Sequence, residues 1–159
     1  MPSESTSGDG SSGPGTGVPA PHASPRLVAV VAAGGAVGAP LRYAVSRLLP
    51  SAPGHWPTAT FVTNVAGSFL LGMLLEGLAR RGPDAGRRQV LRLALGTGVL
   101  GAFTTYSTLA AEVVLLGRGG GTGLALAYGL TSAVAGALAE AAGIALSALT
   151  SPDARRRSG

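Results

Sequence analysis

The stretch 94-ALGTGVLGAFTTYSTLAAE-112 is long and apolar enough to cross a bilayer. Yet it contains Gly96, Gly98 and Gly101 and then five consecutive hydroxyls at Thr104, Thr105, Tyr106, Ser107 and Thr108. Glycine loosens a helix, and hydroxyls offer the backbone other partners. In hydrocarbon, opened backbone is tolerated only where protein buries it or a water-filled cavity meets it. The stretch therefore predicts a membrane span that is broken in the middle. Its freed carbonyls could coordinate a cation, and its hydroxyls could donate to an anion. A glycine kink without a ligand is the plainer reading.

The rest of the chain fits a membrane setting. Of its 159 residues, 12% are charged and 46% hydrophobic; a soluble domain carries roughly twice that charge. Mean hydropathy is +0.38. Four apolar segments cover 27–49, 57–79, 90–116 and 122–149, with charge-free cores of 19 residues at 57–75 and 93–111. A helix needs about 20 apolar residues to span the hydrocarbon. The short connections 50–56, 80–89 and 117–121 make successive helices antiparallel neighbours. A soluble bundle would need polar faces at helical spacing, which the second and third segments lack. Residues 1–25 hold almost no large apolar residue and predict a disordered tail. They lack the basic start of a secretory signal. Residues 26–150 form the transmembrane domain and 151–159 a basic C-terminal tail. The expected fold class is an all-α membrane protein of four transmembrane helices, the third one broken.

There is no Cys, which excludes disulfides, thiolate ligands and a Cys nucleophile. No P-loop and no HExxH zinc motif occurs. His22 falls in the tail and His55 in a loop beside Trp56, a residue type that anchors helices at the bilayer surface. No triad or carboxylate pair is present, so an enzyme is not expected. The net charge is +5 and all 12 basic residues are Arg. They flank apolar runs instead of forming a stripe on a polar domain, so nucleic acid is not an expected partner.

Polar residues inside spans are costly and usually functional. Arg42 in the first span suits an anion-drawing vestibule, or else snorkels to the interface. Thr60, Asn64 and Gly67/Ser68 share one face of the second span at i, i+4 and i+7/i+8. The Asn64 amide can donate to an anion without a trapping charge, or can hold the bundle together by an interhelical hydrogen bond. Glu112 closes the third span, and Tyr128 and Ser132 share a face of the fourth. Gly34/Gly38, Gly67/Gly72 and Gly129/Gly136 allow close helix approach.

Four motifs then occur in order on successive spans: 38-GAPLRY-43, 60-TFVTNVAGSF-69, 101-GAFTTYST-108 and 128-YGLTS-132. Over residues 27–149 this resembles the Fluc/CrcB fluoride channels. The resemblance implies an antiparallel dimer with two fluoride pathways along the subunit interface. It implies passive fluoride export that relieves fluoride toxicity. It also implies a structural, untransported Na+ held by backbone carbonyls, by motif position those of Gly101 and Thr104. Arg42 matches the vestibule arginine and Asn64 the pore asparagine. Thr60 and Glu112 match polar-track residues, and Tyr128 and Ser132 the fourth-span hydroxyls. Tyr106, Ser107 and Thr108 complete the expected fluoride pathway, since hydroxyls and aromatic ring edges can replace the water of a strongly hydrated anion. The chain departs from the family at Leu109, where a second Phe is usual, and at Tyr106, which replaces the first. A proton-coupled drug exporter would need a carboxylate in the first span, and residues 27–49 contain none. A scaffold without transport is the remaining alternative.

One side of the bundle carries nine arginines (Arg26, Arg80, Arg81, Arg87, Arg88, Arg92, Arg155, Arg156 and Arg157) and the other only two, Arg47 and Arg118. Such a bias places both termini in the cytoplasm of a plasma-membrane protein. It opposes insertion of one sequence both ways, so a heterodimer with a paralogous, reversed-bias subunit is favoured over a homodimer. The expected result of proteolysis on sealed vesicles is a C-terminal tag accessible from the cytoplasmic face alone. Equal accessibility from both faces would refute the fixed orientation.

Overall fold

Lipid offers the backbone no partners, so each crossing must be helical or be satisfied by its neighbours. The computed structural model describes residues 24–150 and meets this demand with helices throughout. The expected disordered and basic tails lie outside the described residues, apart from their boundary. There, α1 (Pro25–Leu48) begins at Pro25, one residue earlier than expected, because a proline at the first helical position gives up no hydrogen bond. Next comes α2 (Thr58–Ala79). The third span consists of α3 (Arg87–Leu91), a π-wound stretch (Arg92–Leu100), α4 (Gly101–Phe103) and α5 (Tyr106–Arg118). The chain ends in α6 (Thr122–Thr150).

Four segments, Pro25–Leu48, Thr58–Ala79, Arg87–Arg118 and Thr122–Thr150, are long and apolar enough to cross a membrane. They match the four expected spans, and the third is interrupted between Phe103 and Tyr106, inside the predicted break.

Successive spans are joined by short loops, as expected, but the tightest packing is between alternate ones. Glycines set both of these contacts. Gly34 lies against Ala94 and Gly98, and Gly38 against Val99 and Ala102. The rising register shows that α1 and the third span run parallel. Gly72 meets the Glu140 backbone, Gly77 the Ser147 hydroxyl, and Gly143 the Phe69 and Met73 backbone, so α2 and α6 also run parallel. A Cβ at Gly38, Gly72 or Gly143 would overlap a backbone carbonyl of the facing helix. Backbones brought this close gain dispersion contacts and Cα–H···O interactions, which drive helix association in lipid. Gly129 and Gly136 pack more loosely, against Val113 and the Ser68 hydroxyl.

Between the pairs, α5 crosses onto α6. Tyr128, Leu116 and Ala125 are buried there, with Trp56, Phe61, Leu109 and Val113 around them. Trp56 is more than a surface anchor. Its ring sits edge-on to Phe61 (5.7 Å) and to Tyr128 (5.2 Å), closing the end of the bundle near the 50–56 loop. At the opposite end, Arg80 pairs with Glu76 and Arg92 with Asp84. Arg88 donates to the carbonyls of Arg81 and Pro83, tying down a loop whose Gly82 has φ +117°.

Replacing Gly38 or Gly143 by Leu forces a parallel pair apart. Each variant is expected to lose monodisperse protein on size-exclusion chromatography. Gly123→Leu, whose Cβ would meet nothing within 4 Å, should behave as wild type.

Candidate functional site

The break is made by two extended residues, Thr104 (φ −81°, ψ 162°) and Thr105 (φ −155°, ψ 113°). Two extended residues in a span strand backbone groups, and those of Thr105 find partners. The Thr105 N–H donates to Asn64 Oδ1 (2.8 Å), and Asn64 Nδ2 donates back to the Thr105 carbonyl (3.1 Å). The carboxamide thus stands in for a neighbouring strand. Thr105 also caps α5: its Oγ1 accepts from the Thr108 N–H (3.1 Å) and donates to Thr108 Oγ1 (2.9 Å), with Ser107 Oγ at 3.3 Å. Such a cap contributes about 1 kcal/mol. On the other side, Thr104 turns its N–H and Oγ1 onto the Leu100 carbonyl, both at 2.9 Å. Gly67 makes room for the Thr104 methyl, which a Cβ there would strike.

These bonds divert two helical donors. In an unbroken helix the Gly101 carbonyl would accept from the Thr105 N–H and the Thr104 carbonyl from the Thr108 N–H. Here both N–H groups go to side-chain oxygens of Asn64 and Thr105. The two carbonyls expected from the sequence to hold a cation are therefore the two that lose their helical partners. Gly101 and Thr104 line one cavity of about 250 Å³ together with Asn64, Gly67, Ser68, Thr105, Tyr106 and Leu109. Among the described residues no group of three His, Asp or Glu side chains comes together. A hard monovalent cation fits this donor set, because it takes uncharged oxygens.

A second cavity, of about 400 Å³, lies on the other face of Thr105. Arg42, Ser46, Thr60, Thr63, Thr108 and Glu112 line it. Glu112 is half-buried, and both of its oxygens are engaged: Oε1 accepts from Thr60 Oγ1 (2.8 Å) and Oε2 from the Tyr128 hydroxyl (2.7 Å). Thr60 is 8% exposed and Tyr128 fully buried. Thr63 Oγ1 bonds the Thr60 carbonyl. One turn along α6, Ser132 is buried and, among the described residues, its Oγ has no hydrogen-bond partner.

The structure thus gathers Arg42, Thr60, Thr108 and Glu112 around one cavity and Asn64, Gly101, Thr104 and Tyr106 around the next. Tyr128 reaches the first through Glu112. Ser107 is exposed on α5 with its hydroxyl 3.3 Å from that of Thr105, and Tyr106 is 83% exposed. Sequence reasoning passed over Thr63 and, above all, Thr105, which borders both cavities. A threonine three residues before another hydroxyl at the start of a helix carries a capping signal, but five neighbouring hydroxyls hid which one was the cap. Asn64 plays the bundle-holding role the sequence left open. A carboxamide nitrogen carries two hydrogens, and one of them is used on Thr105.

A four-span membrane protein with a broken third span and polar cavities on both sides of the break is the class these features define. Residues 29–144 match the model of the CrcB-like protein, Camphor Resistance (CrcB) family, and the chain belongs to that family. It is 45% identical over 127 residues to the fluoride-specific ion channel FluC 2 of Leifsonia xyli subsp. xyli, covering 80% of this chain and 87% of that protein. It is 43% identical to FluC 1 of Cutibacterium acnes over 72% of this chain and 80% of that one. With the FluC of Novosphingobium aromaticivorans the identity is 46% over 68% and 85%. These relatives are named as channels, not enzymes.

Removing the Asn64 carboxamide strands both the N–H and the carbonyl of Thr105 at membrane depth, at about 1–3 kcal/mol per group. Asn64→Leu is therefore expected to be less stable than wild type by on the order of 2–6 kcal/mol. Asn64→Asp, which keeps the acceptor for the N–H, should lose less. Unfolding in detergent, followed by loss of helical circular dichroism, measures both.

Proposed function

We propose that the chain is a subunit of a fluoride-specific channel that lets fluoride leave the cytoplasm passively, lowering its toxicity. The observation that carries this reading is the pair of donor-rich cavities meeting at Thr105, in a chain whose relatives are named as fluoride channels. Fluoride is small and strongly hydrated, so a pore must replace its water with closely spaced donors weak enough to release it. Arg42 attracts the anion into the cavity it lines with Thr60 and Glu112. The Thr108 hydroxyl, the second Asn64 amide hydrogen and the Ser107 and Ser132 hydroxyls offer successive donors, beside Thr60 and Tyr128, whose O–H groups are spent on Glu112. Tyr106 supplies a ring edge. Glu112 holds the Thr60 and Tyr128 hydroxyls in place.

The functional unit in this reading is an antiparallel dimer. The open faces of the break support it: Tyr106 and Gly101 are exposed, on the sides that a second subunit would cover. The Gly101 and Thr104 carbonyls of both subunits would hold a structural Na+, which pins the two breaks together by neutralising oxygen dipoles. The arginine bias favours a paralogous partner of opposite orientation, with both termini of this chain cytoplasmic. Leu109, packed against the Tyr128 cluster, offers no ring edge, and in this arrangement the partner supplies it.

Fluoride efflux from liposomes tests the proposal, with chloride as the control anion and sodium present. The chain with its partner subunit should pass fluoride selectively, and replacing sodium by a large organic cation should slow it. Thr60→Val, which leaves Glu112 one donor short, should lower the rate by about tenfold, the equivalent of one hydrogen bond to a charged group. Folded protein that passes no fluoride, alone or partnered, would refute the channel.

A further inference from the structure

One side chain stands between the two cavities. Among the described residues, Thr105 alone lines both the cavity that holds Arg42 and the one that holds Gly101. It forms a wall and not an opening, since it is only 7% exposed. Its backbone cannot yield, because Asn64 holds its N–H at 2.8 Å and its carbonyl at 3.1 Å. A donor from each side is bonded to it. Asn64 lines the Gly101 cavity, and its Nδ2 donates to the Thr105 carbonyl. Thr108 lines the Arg42 cavity, and its Oγ1 lies 2.9 Å from Thr105 Oγ1. An anion that leaves the second Asn64 amide hydrogen for the Thr108 hydroxyl meets Thr105 between them.

The Thr105 hydroxyl has the freedom that its backbone lacks. Its oxygen accepts from the Thr108 N–H and so caps α5. Its hydrogen is a separate resource. That hydrogen has two acceptors within reach, Thr108 Oγ1 at 2.9 Å and Ser107 Oγ at 3.3 Å. Both are neutral oxygens, whereas an anion accepts a hydrogen bond roughly twice as strong. The hydroxyls of Thr60 and Tyr128 differ, because theirs already rest on the Glu112 carboxylate. Turning the Thr105 hydrogen about its C–O bond releases it to an anion without moving the oxygen, so the cap stays. One hydroxyl thus holds the break together and still has a hydrogen to lend.

We propose that the Thr105 hydroxyl hands fluoride from one cavity to the other. Its hydrogen leaves Thr108 for the ion as the ion leaves Asn64, and returns once the ion has moved on. The inference rests on the channel reading above and adds Thr105 as the residue that sets the rate of this crossing. The donor is uncharged, so the ion is passed on and not trapped.

The test is fluoride efflux per folded channel, from liposomes holding the chain with its partner subunit. Thr105→Ser keeps the hydroxyl and should stay near wild type. Thr105→Val keeps the shape and should slow efflux on the order of tenfold, the loss of one hydrogen bond to a charged group. A residue that only caps a helix would cost stability in Thr105→Val and leave the rate per folded channel unchanged. Thr105→Cys serves if Thr105→Val fails to fold, because a thiol accepts and donates weakly. The chain has no cysteine, so that thiol is the only one in this subunit. Methyl methanethiosulfonate, which adds a methylthio group to it, should silence the Thr105→Cys channel and spare wild type. Full-rate efflux through Thr105→Val, or through Thr105→Cys before and after the reagent, would overturn the proposal and leave the channel standing. Folded wild type that is silent both alone and partnered would overturn both.

Discussion

Two hydrogen bonds between the Asn64 carboxamide and the backbone of Thr105 make the broken third span possible. Without them, a membrane helix interrupted by two extended residues would expose an N–H and a carbonyl that lipid cannot satisfy. The carboxamide has one acceptor and one donor face, and both are used on the same residue. The consequence spreads outward. With the Thr105 N–H directed to Asn64 and the Thr108 N–H to the Thr105 hydroxyl, the carbonyls of Gly101 and Thr104 are released from helical duty. The bonds that stabilise the break are thus the ones that free these two carbonyls.

That arrangement needs the second and third spans to meet at one depth, and glycines set the depth. Gly67 admits the Thr104 methyl, Gly34 and Gly38 seat α1 on the lower third span, and Gly72 and Gly143 seat α6 on α2. The contacts at Gly34, Gly38, Gly72 and Gly143 are backbone against backbone, so a shift of one residue would drive a side chain into a carbonyl. Two rigid parallel pairs result. The break lies between them, where α5 leaves the α1 side and crosses onto α6. The cavities open there because no helix fills the angle.

The two intramembrane carboxylates show how little a residue type says without its surroundings. Glu112 organises Thr60 and Tyr128 and is surrounded by what it organises. Glu140 has the same chemistry but is exposed and meets no donor or cation among the described residues.

Much of this was legible in the sequence. Apolar runs of membrane-spanning length gave the four crossings, because hydrophobic thickness leaves little choice of segment. The Gly-rich, hydroxyl-rich 94–112 stretch located the break, since residues that loosen a helix and rebind its backbone concentrate where it opens. The motifs gave the family. Other features depend on contacts between distant residues. Nothing along the chain says that Asn64 pairs with Thr105, 41 positions away, or that Thr105 and not a neighbouring hydroxyl is the cap. Nor does it say that Trp56 packs on Tyr128, or that alternate spans and not consecutive ones approach most closely. In lipid, local composition decides which segments cross, because burial in hydrocarbon is a property of the segment alone. Pairing is decided by shape and by unsatisfied backbone, which exist only once the helices have met.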